Sequence, residues 1–192
     1  MSSFLRLLVA LALGLAGGVA LSLWALSRPS PFDTVRLGAW ELAAHAGSVE
    51  ADPYTRASLA RDGEIPLALG EGLQWIARAD DEGRPLDGRC TYEVGPHTPA
   101  ARYWTLSVVD GDGFPIANPA ERWGFRSSEV LRAPDGGFSI AVSAEPQPGM
   151  WLPIGAPGRF ALALRLYDAP LGATPGAMDP GAAPRVTRVR CG

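Results

Sequence analysis

The chain has 192 residues, 47% of them apolar, and its 17 basic residues, all arginine, nearly balance 20 acidic ones for a formal charge of −3. That length suits one domain. The charge excludes the clustered basic surface of a nucleic-acid binder, and the apolar content excludes disorder despite 23 glycines and 18 prolines.

In chain order, residues 7–26 come first: no charge, and Ser22 as the one polar side chain. As an α-helix this run spans roughly 30 Å, the thickness of a bilayer's hydrocarbon core. Arg6 and the amino terminus form a positive flank that should stay cytoplasmic. Trp24 would reach the opposite interface, with the rest of the chain in the periplasm. Residues 1–27 therefore read as a retained inner-membrane anchor. A cleaved signal peptide competes, since Ala25-Leu26-Ser27 is a passable cleavage site, but the run exceeds the roughly 7–15 apolar residues of a leader. A buried helix of a soluble protein is the third reading. Gly14 and Gly18 form a GxxxG, which a Gly/Ala-rich helix also produces by chance.

Residues 28–34 read as a proline-bearing linker, and 35–192 as the exported domain. Leu37, Trp40 and Ala44 fall at helical spacing and predict a short helix over 35–46. Asp52-Pro53, an N-cap with proline at the first helical position, starts a second helix that stops at Gly63. After Gly72 the period drops to two. Strands are predicted around Leu73–Ala79, Arg89–Val94, Phe138–Val142 and Phe160–Leu166, with Tyr103–Val109 reading as a strand buried on both faces. Asp87-Gly88, Asp110-Gly111-Asp112-Gly113 and Asp135-Gly136-Gly137 are turn signals. Residues 168–184 read as a loop and 185–190 as a last edge strand. The expected architecture is mainly β: an antiparallel sandwich with a few short helices behind one transmembrane helix.

Export changes the meaning of Cys90 and Cys191. In the cytosol both would be thiols, whereas in an oxidising compartment an even pair tends to close. The bridge is favoured here, and two unpaired cysteines are the alternative.

Tyr54-Thr55-Arg56-Ala57, then Asp81-Glu82-Gly83-Arg84-Pro85-Leu86-Asp87-Gly88, Tyr103-Trp104-Thr105-Leu106-Ser107-Val108-Val109-Asp110 and Asn118-Pro119 follow in order. Trp151-Leu152-Pro153 and Phe160–Tyr167 complete the series. In this order and spacing the chain resembles the domain-of-unknown-function 1214 family over about residues 50–170. The resemblance implies a jelly-roll-like sandwich, no established activity and no accepted catalytic residues. It also implies that the 1254 domain preceding this one in many relatives is replaced here by the helix and linker.

No catalytic set emerges. A nucleophilic triad needs a base beside the nucleophile, yet only His45 and His97 exist and no GxSxG is present. Asp110-Gly-Asp112-Gly suggests calcium, but Phe114 and Pro115 occupy the fifth and sixth positions where an EF-hand needs an oxygen ligand and glycine. Zinc lacks ligand spacing. Asp80, Asp81, Asp87, Asp110 and Asp112 are candidate acids for glycoside hydrolysis only because they are acidic; in turn-like sequence, solvated aspartate is expected. No cofactor and no metal are expected.

Trp75, Tyr103, Trp104, Trp123, Trp151 and Tyr167 either line a ligand site or fill the core. Core filling is favoured for most, and Trp123 and Trp151, beside loops, are the two for which both readings stay open. Arg56, Arg122 and Arg165 are expected to pair with aspartates or to form an anion site. Together with Asn118 these side chains make up the candidate ligand or structural motif: Arg56, Trp104, Asn118, Arg122, Trp123, Trp151, Arg165 and Tyr167. The leading function is a non-catalytic binding or structural module held at the membrane, with an envelope protein, glycan or lipid as partner. The rival is an enzyme acting on envelope glycan or lipid.

Overall fold

The computed structural model describes residues 3–26, 34–43, 45–62, 65–68, 70–155, 157–169 and 180–192. Most of the linker (28–33) and the centre of the expected loop (170–179) lie outside the described residues.

Helix α1 covers Ser3–Leu26, with no buried residue. Its 24 residues make a rod of about 36 Å, long and apolar enough to cross a bilayer. A signal sequence meets the same criterion of length and composition. Helix α2, Pro53–Asp62, begins as expected: Asp52 Oδ1 accepts the backbone N–H groups of Tyr54 and Thr55, and its other oxygen takes the Thr55 hydroxyl. This side-chain cap satisfies donors that a helix start leaves open.

Among the described residues of 35–46 there is no helix, and Ala44 lies outside them. Thr34–Leu37 (β1) and Trp40–Ala43 (β2) are an antiparallel hairpin with Leu37 opposite Trp40. Gly38, at φ +59°, takes the first central position of a two-residue turn, where a positive φ favours glycine. Trp40 and Leu42 then point into the core while Glu41 points outward. The helical spacing of Leu37 and Trp40 was the coincidence of a strand period read across a turn.

Eight further strands follow: β3 Gly72–Ala77, β4 Cys90–Gly95, β5 Tyr103–Val109, β6 Gly124–Arg126, β7 Ile140–Ser143, β8 Trp151–Pro153, β9 Ala161–Tyr167 and β10 Arg185–Cys191. They form a six-stranded sheet, β1-β2-β3-β9-β5-β6, and a four-stranded sheet, β10-β4-β7-β8. Their inner faces share one hydrophobic core. Trp40, Trp75, Trp104, Leu106, Leu162, Leu164 and Leu166 come from the first sheet; Tyr92, Val94, Ile140, Val142, Leu152 and Val186 come from the second. This is a sandwich, as the alternation of apolar residues predicts.

Three details depart from the expected plan. β7 and β8 pair in parallel, Ala141 opposite Trp151. A parallel pair normally needs a long crossover, but β8 is three residues long and residues 144–150 suffice for the return. β5 is not buried on both faces: Trp104, Leu106 and Val108 face the core, while Tyr103, Thr105 and Ser107 are half-exposed. The outer face of this sheet instead buries a small patch of Val109, Ala161 and Ala163 against Ile76.

Cys90 and Cys191 are bridged across directly opposed positions of β4 and β10, at a sequence separation of 101. β10 is an edge strand of its sheet, as expected.

Candidate functional site

Asparagine and aspartate side chains build the β5–β6 connection. Asp110 Oδ1 accepts the N–H groups of Asp112 and Phe114, each at 2.9 Å, which closes the DGDG turn. Buried Asn118 closes the next one. Its amide donates to the carbonyls of Arg122 (2.9 Å) and Ile116 (3.3 Å), and its Oδ1 accepts the Arg122 N–H (3.1 Å). Inside that clamp Glu121 is held at φ +49°, a left-handed conformation that a side chain adopts at a cost of order 1 kcal/mol. Gly155, at φ +84°, lies against the same loop; a Cβ there would come within 2.1 Å of the Ala117 carbonyl oxygen.

Arg122 projects from this frame. Its guanidinium carbon stands 4.9 Å from the Phe125 ring centroid and Nη1 lies 3.5 Å from the Trp151 carbonyl oxygen. Trp151, half-buried, donates its indole N–H to the Ser143 carbonyl at 3.0 Å. Trp123 is 45% exposed while its carbonyl accepts the Val108 N–H at 3.0 Å, so the ring hangs from a fixed backbone. Phe114 is exposed on the same connection. The arrangement presents a guanidinium and aromatic faces, chemistry suited to an anion or to stacking on a planar or sugar ring.

Replacing Asn118 by alanine removes three part-buried hydrogen bonds that hold the backbone of Ile116 and Arg122. The expected loss is about 2 kcal/mol of unfolding free energy, measured by denaturant titration, with Trp123 fluorescence altered. An unchanged midpoint would show that the clamp does not organise the loop.

The other motif residues lie elsewhere. Trp104 is in the core, its ring 5.2 Å from that of Phe138. Arg165 lies on the outer face of the six-stranded sheet, donating to Gln74 Oε1 at 2.7 Å. Tyr167 stacks at a tilt on Tyr103, 5.9 Å between centroids. Arg56 donates to the Val49 carbonyl beside α2. The expected pairing of Arg56, Arg122 and Arg165 with aspartates is therefore corrected: among the described residues their partners are carbonyl or amide oxygens and an aromatic ring.

The ion pairs gather around Asp80 instead. This carboxylate, 2% exposed, accepts N–H groups of Glu82 and Arg84 on Oδ1. Its Oδ2 faces Arg84 Nε at 3.0 Å and Arg188 Nε at 2.9 Å. Burial pushes its pKa up, but the backbone and side-chain hydrogen bonds of Arg84 and the charge of Arg188 outweigh burial and hold it below the usual value. Arg188 also reaches the Pro85 carbonyl at 2.7 Å and stands over the Tyr92 ring, tying β10 to the β3–β4 connection. Next to it Asp81 Oδ2 accepts the Val186 N–H at 3.1 Å. Half-buried Asp87 has its pKa brought to about 2 by the Arg89 guanidinium and backbone N–H. Asp80 was expected to be solvated; it is a buried node. Its partner Arg188 follows 108 residues later, a separation that no local motif reveals.

The remaining turn aspartates hold backbone. Asp135 Oδ1 accepts the Gly137 N–H and Asp87 Oδ1 the Arg89 N–H. Among the described residues no group of three His, Cys, Asp or Glu is placed to hold a metal ion.

A family model described as "Protein of unknown function (DUF1214)" matches residues 71–171, more than half of the chain. In fold the chain is similar to the VPA0106 protein from Vibrio parahaemolyticus: TM-score 0.64, 17% identity, 93% of this chain and 44% of that one. It is also similar to an uncharacterized protein from Burkholderia cenocepacia: TM-score 0.41, 21% identity, 73% of this chain and 44% of that one. The chain thus spans less than half the length of either solved protein. No curated protein matches it.

Proposed function

From membership of the DUF1214 family, a family of unknown function to which this chain belongs, we propose that it is a single-pass inner-membrane protein with a non-catalytic binding or structural module. The N-terminus is cytoplasmic and the sandwich, which begins with β1 at Thr34, stands in the periplasm behind the proline-bearing linker. One observation carries the non-catalytic reading. Asp52, Asp80, Asp87, Asp110 and Asp135 each accept backbone N–H groups at a helix start or turn. Carboxylates committed to such bonds hold loops; glycoside hydrolysis needs two that face each other across a cleft. The Cys90–Cys191 bridge supports an oxidising compartment.

The contact end is the Asn118 loop. Arg122, Trp123 and Trp151 meet the partner, a glycan, lipid headgroup or envelope protein. Asn118 positions them, and Trp104, Arg165, Tyr167 and Arg56 keep structural roles. The test is a native mass spectrum of the full chain released from membranes, beside a Trp123→Ala variant. A bound mass lost on denaturation, and lost in the variant at unchanged stability, is the expected result. Chemical conversion of that molecule during incubation would replace the module with an enzyme. A fusion after Gly192 to a reporter active only in the cytoplasm should stay silent; its activity would overturn the orientation.

A further inference from the structure

We propose that α2 and its flanks form a second membrane contact, seating the sandwich on the polar–apolar boundary of the outer leaflet beside its own anchor. The inference rests on the reading of α1 as a retained span. Arg61, in the last turn of α2, donates to the carbonyl of Leu26, the last residue of α1, at 2.6 Å. A helix end leaves its final carbonyls without intrahelical partners, and a cationic side chain there also complements the helix dipole. α1 is exposed along residues 3–24 and becomes half-covered at Ala25 and Leu26. Protein therefore begins where the span ends, and α2 lies at the depth where hydrocarbon gives way to headgroups.

What α2 and its flanks show at that depth is apolar. Val49 is 89% exposed and Ile65 is 92% exposed, the most exposed large apolar side chains among the described residues. Val49 is fixed beside α2 by the Arg56 bond to its carbonyl, and Ile65 follows four residues after Arg61. Tyr54, Ala57 and Arg61, at i, i+3 and i+7, share one exposed face of α2. Two exposed aliphatic side chains on either side of a helix that touches the end of a membrane span fit acyl chains at the interface. Charge narrows the lipid. Residues 49–65 hold Glu50, Asp52, Asp62 and Glu64 against Arg56 and Arg61, so attraction to anionic headgroups is not the driving force. The seat is an apolar one, on a zwitterionic surface, and insensitive to salt.

The test uses the full chain in phosphatidylcholine vesicles, with the photoreactive p-benzoylphenylalanine in place of Val49, Ile65 or, as reference, Leu131. Leu131 is 73% exposed in the β6–β7 connection. Illumination should yield lipid adducts at 49 and 65, unchanged by added salt, and none above background at 131. Chain-to-chain products at 49 and 65 would mean that a second copy covers this face and would overturn the seat. So would an absence of lipid adducts from vesicle-bound protein. Protein washed off the vesicles by alkaline carbonate would defeat the anchor reading itself, and the seat with it.

Discussion

Reduction of the Cys90–Cys191 bridge should lower the unfolding free energy by about 4 kcal/mol. For a sequence separation of 101 between the two cysteines, a chain-entropy model assigns such a loop about 4–5 kcal/mol. The native strands can stay paired without it, because β10 is also held by its ladder to β4 and by the Val186 N–H bond to Asp81. The loss therefore falls mainly on the unfolded state, which becomes freer. The double variant Cys90→Ser/Cys191→Ser, unfolded in urea in mild detergent, should show it, and β10 amides should exchange first. A midpoint indifferent to reductant, or two reactive thiols in denatured, unreduced protein, would contradict the bridge.

Asp80→Asn should cost about 3 kcal/mol, since a half-buried Arg188 is left facing a neutral amide and one acceptor of the turn is weakened. Arg84 is partly exposed, so solvent screens its share and the figure sits at the lower end of the range for breaking buried pairs. The pH dependence follows from the lowered pKa of Asp80. A carboxyl more acidic in the folded than in the unfolded chain contributes its full stabilisation above the unfolded value near 4. That contribution is lost as pH falls through the folded value. The stability difference between wild type and Asp80→Asn should therefore be widest at neutral pH and shrink below about 4. A difference independent of pH would mean that packing, not charge, makes the site.

The sequence revealed the fold where apolar periods were long enough to be read. β9, with Leu162, Leu164 and Leu166, and β4, with Cys90, Tyr92 and Val94, alternate over six or seven residues, and the Asp52-Pro53 signal placed α2. β6 and β8 are three residues each, too short to show a period. The β1–β2 hairpin was hidden because one glycine turn brought two strand positions into helical spacing. The candidate site was legible in part: the Asn118–Trp123 motif does organise a loop and lies against Trp151, and the family match covers it. The three arginines were misassigned for a simple reason. Sequence shows that arginines and aspartates are both present, but pairing is decided by sheet register, and register brought Arg188 rather than Arg165 to a buried carboxylate.

The edges of the two sheets bear on self-association. β10 carries Arg185, Arg188 and Arg190 and a register break between the last two, and β8, at the opposite edge, ends in Pro153, which has no N–H to offer. In the other sheet the edges are β1, four residues with Arg36, and β6, three residues with Arg126. Charge, bulge, proline and brevity are each devices that stop one sheet from extending into another. With such devices at every edge, a newly made chain can wait for its disulfide without templating strands of its neighbours. The same guarded edges disfavour recognition by an added strand and leave side chains and loops as the surfaces open to contact.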